Sequence, residues 1–173
     1  MPVAAGLHIY ALALGSNRAQ SSTLGPADLL HRVMTGAHLA PLQILARSPI
    51  IITDPIGPSL RRYANAAILV ATDMPPAALL AHLKAIERQA GRRSGQRWGA
   101  RPLDLDIILW SGGRVRSRPL HIPHRAFRDR LFVLEPLAAI AADWRDPVTG
   151  RTVRHLLARA KMPKPVDRRP AHY

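Results

Sequence analysis

An α+β sandwich is the fold class that this sequence predicts, with strands and helices in the order βαββαβ and helical additions toward the C terminus. Short apolar runs, some of them β-branched, alternate with segments of helical periodicity, and loops rich in glycine or proline separate them. The chain of 173 residues is 47% apolar and 21% charged, which is a globular balance. This length suffices to bury one sizeable core. We therefore expect one domain over 1–173, with a core at about 8–160 and a basic tail at 161–173.

The first half of the chain supplies a strand, a helix and two further strands. His8 to Leu14 is an apolar run that ends at a glycine turn, and Pro26 to Ala40 has the apolar spacing of a helix. Leu42 to Ile52 is partly β-branched and predicts a strand, as does Tyr63 to Ala71. Residues 54–59, with two prolines and a glycine, form the loop between these strands.

The second half repeats the pattern of helix and strand. Asp73 and the prolines after it predict the start of a helix that runs to about Ala90, because an aspartate can cap free amides and proline fits the first turn. A strand follows from Leu103 to Trp110, and further helices are predicted around Leu131 to Ala142 and Val153 to Ala160. The order is that of a split βαβ, ferredoxin-like sandwich with two helices on one sheet face.

The charge of the chain indicates a polyanionic ligand. The formal net charge is +14, and of 25 basic residues only Lys84, Lys161 and Lys164 are lysines. The planar fork of arginine suits phosphate oxygens, so a nucleotide, a nucleic acid or a small phosphorylated substrate is compatible with this composition. A chain-wide preference for arginine without functional meaning would give the same excess outside the central region.

The compartment can be predicted from what the sequence lacks. The apolar runs are too short to cross a bilayer, and the first ten residues lack the basic and apolar parts of a secretory signal. There is no cysteine, which excludes disulfides, thiolate metal sites and cysteine nucleophiles. We expect a cytoplasmic protein that does not interact with a membrane.

Asp104 and Asp106 are the only acidic residues between Arg88 and Arg128, a stretch that contains ten arginines. Residues two apart on a strand share a face, so both carboxylates point to one side. Two such charges repel each other, and a hard divalent cation between them makes the arrangement favourable. Magnesium on two carboxylates keeps positions for water and phosphate oxygens, which suits phosphoryl chemistry. The alternative is that the aspartates pair with arginines of the preceding loop on a solvated strand face.

A phosphate site in this chain has to be assembled from side chains. The sequence lacks the P-loop pattern Gly-x-x-x-x-Gly-Lys-Ser/Thr and the protein-kinase signatures. For the histidines an ordinary surface position is the alternative. The available donors are Arg92, Arg93, Arg97, Arg101, His121, His124, Arg125 and Arg130.

A resemblance to a known family rests first on residues 97–109, which read RWGARPLDLDIIL. This segment closely resembles the signature of the 6-hydroxymethyl-7,8-dihydropterin pyrophosphokinases of folate biosynthesis. The similarity spans about residues 8–137. Further family features stand in the expected order: LGSN at 14–17, TDPIG at 53–57, YANAA at 63–67, IE at 86–87, IPH at 122–124 and RLFVLEPL at 130–137.

The resemblance implies both the ferredoxin-like fold and a reaction. The β,γ-diphosphate of ATP would move to the hydroxymethyl oxygen of 6-hydroxymethyl-7,8-dihydropterin, with release of AMP. Two magnesium ions on Asp104 and Asp106 would assist, and the acceptor hydroxyl would attack directly and in line. ATP and the pterin are the implied partners of a chain that we expect to be a monomer and to bind no nucleic acid.

The resemblance also assigns residues to roles. The catalytic set is Arg92, Arg101, Asp104 and Asp106. The ATP-binding set is Glu87, Arg93, Trp98, Ile107, His121, His124, Arg125 and Arg130. The pterin-binding set is Thr53, Asp54, Ile56, Tyr63, Asn65 and Phe132.

Stacking and edge recognition make the pterin assignments physically reasonable. A flat heteroaromatic ring gains from lying between the rings of Tyr63 and Phe132, and the Asn65 amide can donate to and accept from its edge. Without the resemblance, core packing is the better explanation for both aromatic residues.

Two other functions are compatible with parts of the sequence. An RNA-binding module can share the ferredoxin-like layout, but it needs exposed aromatic residues on its central strands, and the aspartate pair would repel a phosphodiester backbone there. A catalytically inactive relative would bind nucleotide without forming AMP.

Overall fold

The computed structural model describes residues 6–19, 23–54, 62–91 and 102–162. The strands are β1 His8–Ser16, β2 Gln43–Arg47, β3 Ile51–Thr53, β4 Tyr63–Thr72, β5 Asp104–Trp110, β6 Val115–Arg116 and β7 His121–Ile122. The helices are α1 Pro26–Thr35, α2 Pro76–Gln89, α3 Leu131–Ala141 and α4 Val153–Lys161, with 3₁₀ turns at Ala37–Leu39 and Phe127–Asp129. Within these ranges no helix has the length and apolar character that a bilayer crossing requires.

The main sheet has the order β2-β4-β1-β5, and β3 also pairs with β4. All of these neighbouring strands are antiparallel. Helix α1 links β1 to β2 across the intervening β4, and α2 links β4 to β5 across β1. Two interlocked split βαβ units result, so the predicted ferredoxin-like fold is confirmed.

The alternation of side chains along the strands gives the sheet two packed faces. On β1, Tyr10, Leu12 and Leu14 are buried in the core that includes α1 and α2. Ala11 and Ile108 belong to the other core, which is completed by the second 3₁₀ turn, α3 and α4. The prediction of two helices on one face is confirmed, and the C-terminal helices form a third layer.

Two predicted elements are interrupted. The helix predicted from Pro26 to Ala40 ends at Thr35 because the backbone at Gly36 is extended, and a 3₁₀ turn follows. The strand predicted from Leu42 to Ile52 is divided at Ser48, whose hydroxyl accepts from Ala67 N at 2.8 Å while its own N donates to Ala67 O at 2.9 Å. The proline at position 49 has no N–H to continue the ladder.

The predicted cap of α2 by Asp73 is wrong. Pro75 occupies the N-cap position, and no side chain accepts a hydrogen bond there. Thr72 Oγ1 instead accepts from Met74 N at 3.2 Å and donates to Asp73 Oδ1 at 3.5 Å. The helix begins without that cap because Pro76 has the backbone angle that the first helical position requires.

Candidate active site

One end of the second sheet face is left uncovered by the described helices. Strand β1 lies at the centre of the sheet, yet Ala13 and Gly15 are part exposed, whereas Ala11 on the same face is fully buried against α3 and α4. Residues on the same face of a central strand are normally all covered by the elements that pack on that face. The change along β1 therefore marks a cleft, and Ala13 and Gly15 form its floor.

The strand register fixes what lies on either side of this floor. Gly15 is paired with Asn65 on β4 and with Asp104 on β5, and Ala13 is paired with Asp106. Neighbouring strands are about 4.8 Å apart, so the backbones of Asn65 and Asp104 are roughly 10 Å apart across β1. An amide thus lines one wall of the cleft and two carboxylates line the other.

The carboxylate wall concentrates negative charge in a partly dry place. Asp104 and Asp106 are both half-buried, while Leu105 between them is fully buried on the opposite face. Burial raises the pKa of Asp106, and the charge of Asp104 raises it further, whereas His124 acts in the opposite direction. The net effect on the pKa of Asp106 is upward, so a cation bound beside this carboxylate would relieve the repulsion from Asp104.

These two side chains fit a magnesium site by their donor chemistry. Carboxylate oxygens are the hard donors that magnesium prefers, and it usually keeps several positions for water and phosphate. Within the described ranges, no group of three His, Cys, Asp or Glu side chains could hold a metal ion. Two carboxylates therefore leave positions on magnesium for water and for a phosphorylated ligand.

Strand β5 is braced from its open edge by two side chains of α2. Glu87 is fully buried, and its Oε1 accepts from Leu105 N at 2.7 Å and from Lys84 Nζ at 2.7 Å. Lys84 Nζ also donates to Leu105 O at 3.4 Å. These side chains make the hydrogen bonds to Leu105, the residue between the two aspartates, that a neighbouring strand would otherwise make. The ATP contact of Glu87 stays a prediction, while the observed carboxylate holds β5 in place.

The segment that leads from β7 into α3 brings His124 and Arg130 near the carboxylates. His124 N donates to Ile108 O at 3.1 Å, which attaches this segment to β5. The charges of His124 and Arg130 both lower the pKa of Asp106. Burial lowers the pKa of His124 despite the opposing effect of Asp106, so its imidazole is neutral at pH 7. Ala126 N donates to His124 Nδ1 at 3.4 Å, which leaves the ring proton on Nε2.

The turn between His124 and Arg130 is fastened by an ion pair between the partly buried Arg128 and the fully buried Asp146. Asp146 accepts from Arg128 Nε at 2.7 Å and Nη2 at 2.8 Å, and from Thr149 Oγ1 at 2.7 Å. Burial alone would raise the pKa of Asp146, but these hydrogen bonds and one from Val148 N lower it to about 2. Sequence reasoning missed this pair because its members are 18 residues apart.

The opposite wall of the cleft carries residues predicted to bind the pterin. Asn65 Nδ2 donates to Thr53 Oγ1 at 2.8 Å, and Thr53 on β3 is paired with Tyr63 on β4. Phe132 is partly buried at the start of α3, with the Arg130 guanidinium 5.7 Å from its ring centre. The structure therefore brings Thr53, Tyr63 and Asn65 together.

Other predicted residues lie apart or outside the described ranges. Arg125 Nη2 is hydrogen-bonded to His121 Nε2, and desolvation together with the charges of Arg125 and Arg116 lowers the pKa of His121. Asp54 is exposed and forms an ion pair with Arg62 at 3.3 Å. The side chain of Ile107 packs on the α1 and α2 side, so only its backbone is available to ATP. The predicted residues outside the described ranges are Ile56, Arg92, Arg93, Trp98 and Arg101.

The sequence matches a family model over residues 11–142, and its description reads 7,8-dihydro-6-hydroxymethylpterin-pyrophosphokinase (HPPK). The chain belongs to this family. A relative named 2-amino-4-hydroxy-6-hydroxymethyldihydropteridine pyrophosphokinase in Pseudomonas aeruginosa is 38% identical over 149 residues, which cover 85% of this chain and 88% of the relative. A relative of the same name in Methylorubrum extorquens is 36% identical over 149 residues, covering 86% and 90%. The predicted family is therefore confirmed.

Solved structures support the fold independently. Wild-type HPPK-DHPS of Plasmodium falciparum with pteroate has a TM-score of 0.66 at 15% sequence identity and covers 88% of this chain. This chain spans only 42% of that longer chain. At such low identity the likeness concerns the fold alone. Family membership, by contrast, makes the chain an ATP-dependent diphosphotransferase, as the sequence predicted.

Proposed function

We propose that this HPPK family member moves the β,γ-diphosphate of ATP onto the hydroxymethyl oxygen of 6-hydroxymethyl-7,8-dihydropterin within the cleft above Gly15. The observation that carries this proposal is the strand register, which sets Asn65 and Asp104 on opposite sides of Gly15. The Asn65 amide, which is proposed to recognise the pterin, and the Asp104 carboxylate, which is proposed to hold the metal-bound phosphates, thus face the same cleft. The family match supports the reaction, and the cleft supports its location.

The diphosphate can be transferred directly, without a protein nucleophile. The acceptor oxygen forms a bond to the β-phosphorus, and the bond between that phosphorus and the oxygen bridging it to the α-phosphorus breaks. AMP leaves with the bridging oxygen, and the hydroxyl proton passes to solvent. Positioning and charge stabilisation therefore supply the catalysis.

On the carboxylate wall, Asp104 and Asp106 would hold two magnesium ions. When bound, magnesium neutralises charge on the phosphates and eases loss of the hydroxyl proton. His124 donates a hydrogen bond from Nε2 to a phosphate oxygen, and Arg130 supplies a second, charged donor. The electrostatic influence of both residues on Asp106 supports this placement. The proposed contacts of the preceding loop are those of Arg92, Arg93, Trp98 and Arg101.

On the opposite wall, Asn65 recognises the pterin edge. Because Nδ2 already donates to Thr53, the amide orientation is fixed, with Oδ1 available as acceptor and the second Nδ2 hydrogen as donor. Tyr63 and Phe132 are proposed to hold the ring between them. Asp54 and Ile56 follow Thr53 in the same loop and are proposed to complete the pterin site.

We also propose that the enzyme is monomeric and cytoplasmic, and that it binds two magnesium ions and no nucleic acid. The alternative of a catalytically inactive relative predicts ATP binding without turnover.

A three-component assay tests the proposed function. Purified protein is incubated with ATP, magnesium and 6-hydroxymethyl-7,8-dihydropterin, and AMP and the pterin diphosphate are followed by chromatography and phosphorus NMR. We expect both products in equal amounts, and neither product when the pterin or the magnesium is omitted. A folded protein that binds ATP but releases no AMP would contradict the proposal and favour the inactive relative.

A further inference from the structure

Glycine at position 15 is not explained by the fold of the described residues. A glycine on a central strand weakens that strand, because it packs no side chain and loses more backbone freedom on folding. The backbone of Gly15 is not in the left-handed region, so another residue would be accommodated there without strain. A Cβ at this position would meet Asn65 Oδ1 at 3.7 Å and Asp104 Cβ at 4.0 Å, which are ordinary contacts.

Among the described residues, no steric conflict requires glycine at position 15, so it is the sequence that keeps the space above Gly15 open. Gly15 is part exposed on the floor of the cleft, and its neighbours are the two walls that the proposed function uses. Glycine within a strand is typical of a place where a ligand approaches the backbone closely. The ligand atoms that pass between the Asn65 wall and the Asp104 wall are those that join the pterin ring to the transferring phosphorus.

We propose that Gly15 determines the acceptor specificity of this enzyme, because the strand without a side chain is the surface over which the acceptor's one-carbon arm reaches the β-phosphorus. This inference rests on the proposed function of the cleft. The backbones of the two walls are two strand spacings apart, roughly 10 Å. The side chains come closer, because a Cβ at position 15 would lie 3.7 Å from Asn65 Oδ1 and 4.0 Å from Asp104 Cβ. The one-carbon arm crosses this narrower gap over Gly15, from the ring held by Tyr63 and Phe132 to the phosphate on the carboxylate wall. A side chain at position 15 lifts the arm away from the phosphorus.

A single methyl group at position 15 tests the proposal. Gly15→Ala is expected to fold as the wild type does, because its Cβ has room. We expect its kcat/KM for the pterin to fall about tenfold to a hundredfold, since small misplacements at a reacting centre have effects of that size. The affinity for the α,β-methylene analogue of ATP with magnesium should stay within about twofold of wild type, because the methyl group lies beneath the acceptor's arm and not beneath the phosphates.

Gly25→Ala is the matched control. It adds the same methyl group at the start of α1, which packs against the other sheet face, and its Cβ would meet Asp28 Oδ2 at 3.3 Å. We expect its turnover to equal that of the wild type. Turnover and pterin KM that are unchanged in Gly15→Ala would overturn the proposal, and so would an equal loss in both variants.

A second measurement uses the wild-type protein and does not depend on a variant that folds. A methyl group on the arm carbon of the acceptor creates two enantiomers, of which one points the methyl group at the floor. We expect one enantiomer to be converted at least about tenfold more slowly than the other, the order of magnitude of one misplaced methyl group. Equal rates for the two enantiomers would overturn the role of the floor.

The failure of this inference is distinguishable from failure of the proposed function. If the wild type releases no AMP from ATP, magnesium and the unsubstituted pterin, the proposed function fails and the role of Gly15 fails with it. If the wild type is active, Gly15→Ala turns over as fast as the wild type, and the two enantiomers react at the same rate, then only the role of Gly15 fails.

Discussion

Two carboxylates of this chain, Asp106 and Asp146, are removed from water in opposite ways. Asp146 is fully buried, and hydrogen bonds from Arg128, Thr149 and Val148 bring its pKa down to about 2. Asp106 is half-buried beside a second aspartate, and burial together with the charge of that neighbour raises its pKa. The fold neutralises the first carboxylate, whereas we propose that a ligand neutralises the second. On this proposal Asp146 serves stability and Asp106 serves function.

The largest effect is expected when Asp106 is replaced by asparagine. Turnover in Asp106→Asn should fall about a thousandfold, because the variant loses a carboxylate proposed to hold the magnesium ions that stabilise transition-state charge. Without metal, the free energy of unfolding should rise, because the repulsion from Asp104 is removed. AMP release and thermal unfolding in a chelating buffer measure these two effects. Full turnover in this variant would refute the metal assignment.

The opposite pattern is expected for Asp146→Asn. Removal of one member of a buried ion pair leaves Arg128 without its charged partner and should cost about 3 kcal/mol of unfolding free energy. Turnover per folded molecule should fall far less than in Asp106→Asn, because Asp146 acts on His124 and Arg130 only through the turn that Arg128 fastens. Urea unfolding provides the measurement. The control is Asp143→Asn, which breaks an exposed pair with Arg154 and should not change stability measurably.

The acid dependence of stability should follow Asp146. Its pKa is lowered to about 2 in the folded protein, so its contribution is present above the unfolded pKa of about 4 and is lost as pH falls between these values. The loss from this residue amounts to about 2 kcal/mol. We expect Asp146→Asn to lack this part of the decline when unfolding is measured from pH 5 to pH 2. Identical pH profiles for the two proteins would contradict the assignment.

The smallest effect is expected from Thr53→Val on the pterin wall. The variant keeps the shape of the side chain but removes the acceptor of the Asn65 hydrogen bond. One such bond contributes about 1 kcal/mol, so the KM for the pterin should rise roughly fivefold while kcat is unchanged. Thr35→Val, which removes a hydrogen bond to His31 O in α1, is the control and should leave KM unchanged. An equal rise in both variants would show a general loss of stability instead.

Much of the fold followed from local patterns in the sequence. Apolar runs and helical spacing placed the long strands and the four α-helices of the described residues, and the order of these elements predicted the sandwich. The interruptions at Gly36 and Ser48 were missed for different reasons. Gly36 ends a helix through its own backbone, but the hydroxyl of Ser48 substitutes for a strand partner on β4, which sequence spacing does not reveal.

The site was predictable where its residues are close in the chain. Asp104 and Asp106 share a face because they are two residues apart on one strand, and the structure agrees. The sequence predicted an ATP contact for both His121 and His124, but only His124 is among the charges that act on Asp106. Lys84 was missed, although its spacing of three residues from Glu87 on a helix was an available signal. The position of Gly15 between Asn65 and Asp104 depends on the register of three strands that are far apart in the chain. Local sequence patterns therefore do not predict it.

Counting bound metal ions shows whether Asp104 and Asp106 hold magnesium. Manganese(II) can replace magnesium in a titration with the α,β-methylene analogue of ATP, and the free ion is counted by electron paramagnetic resonance. We expect two ions for each wild-type chain and for each Asp146→Asn chain, and fewer, more weakly held ions for Asp106→Asn. Equal number and affinity of ions in Asp106→Asn and the wild type would contradict the account.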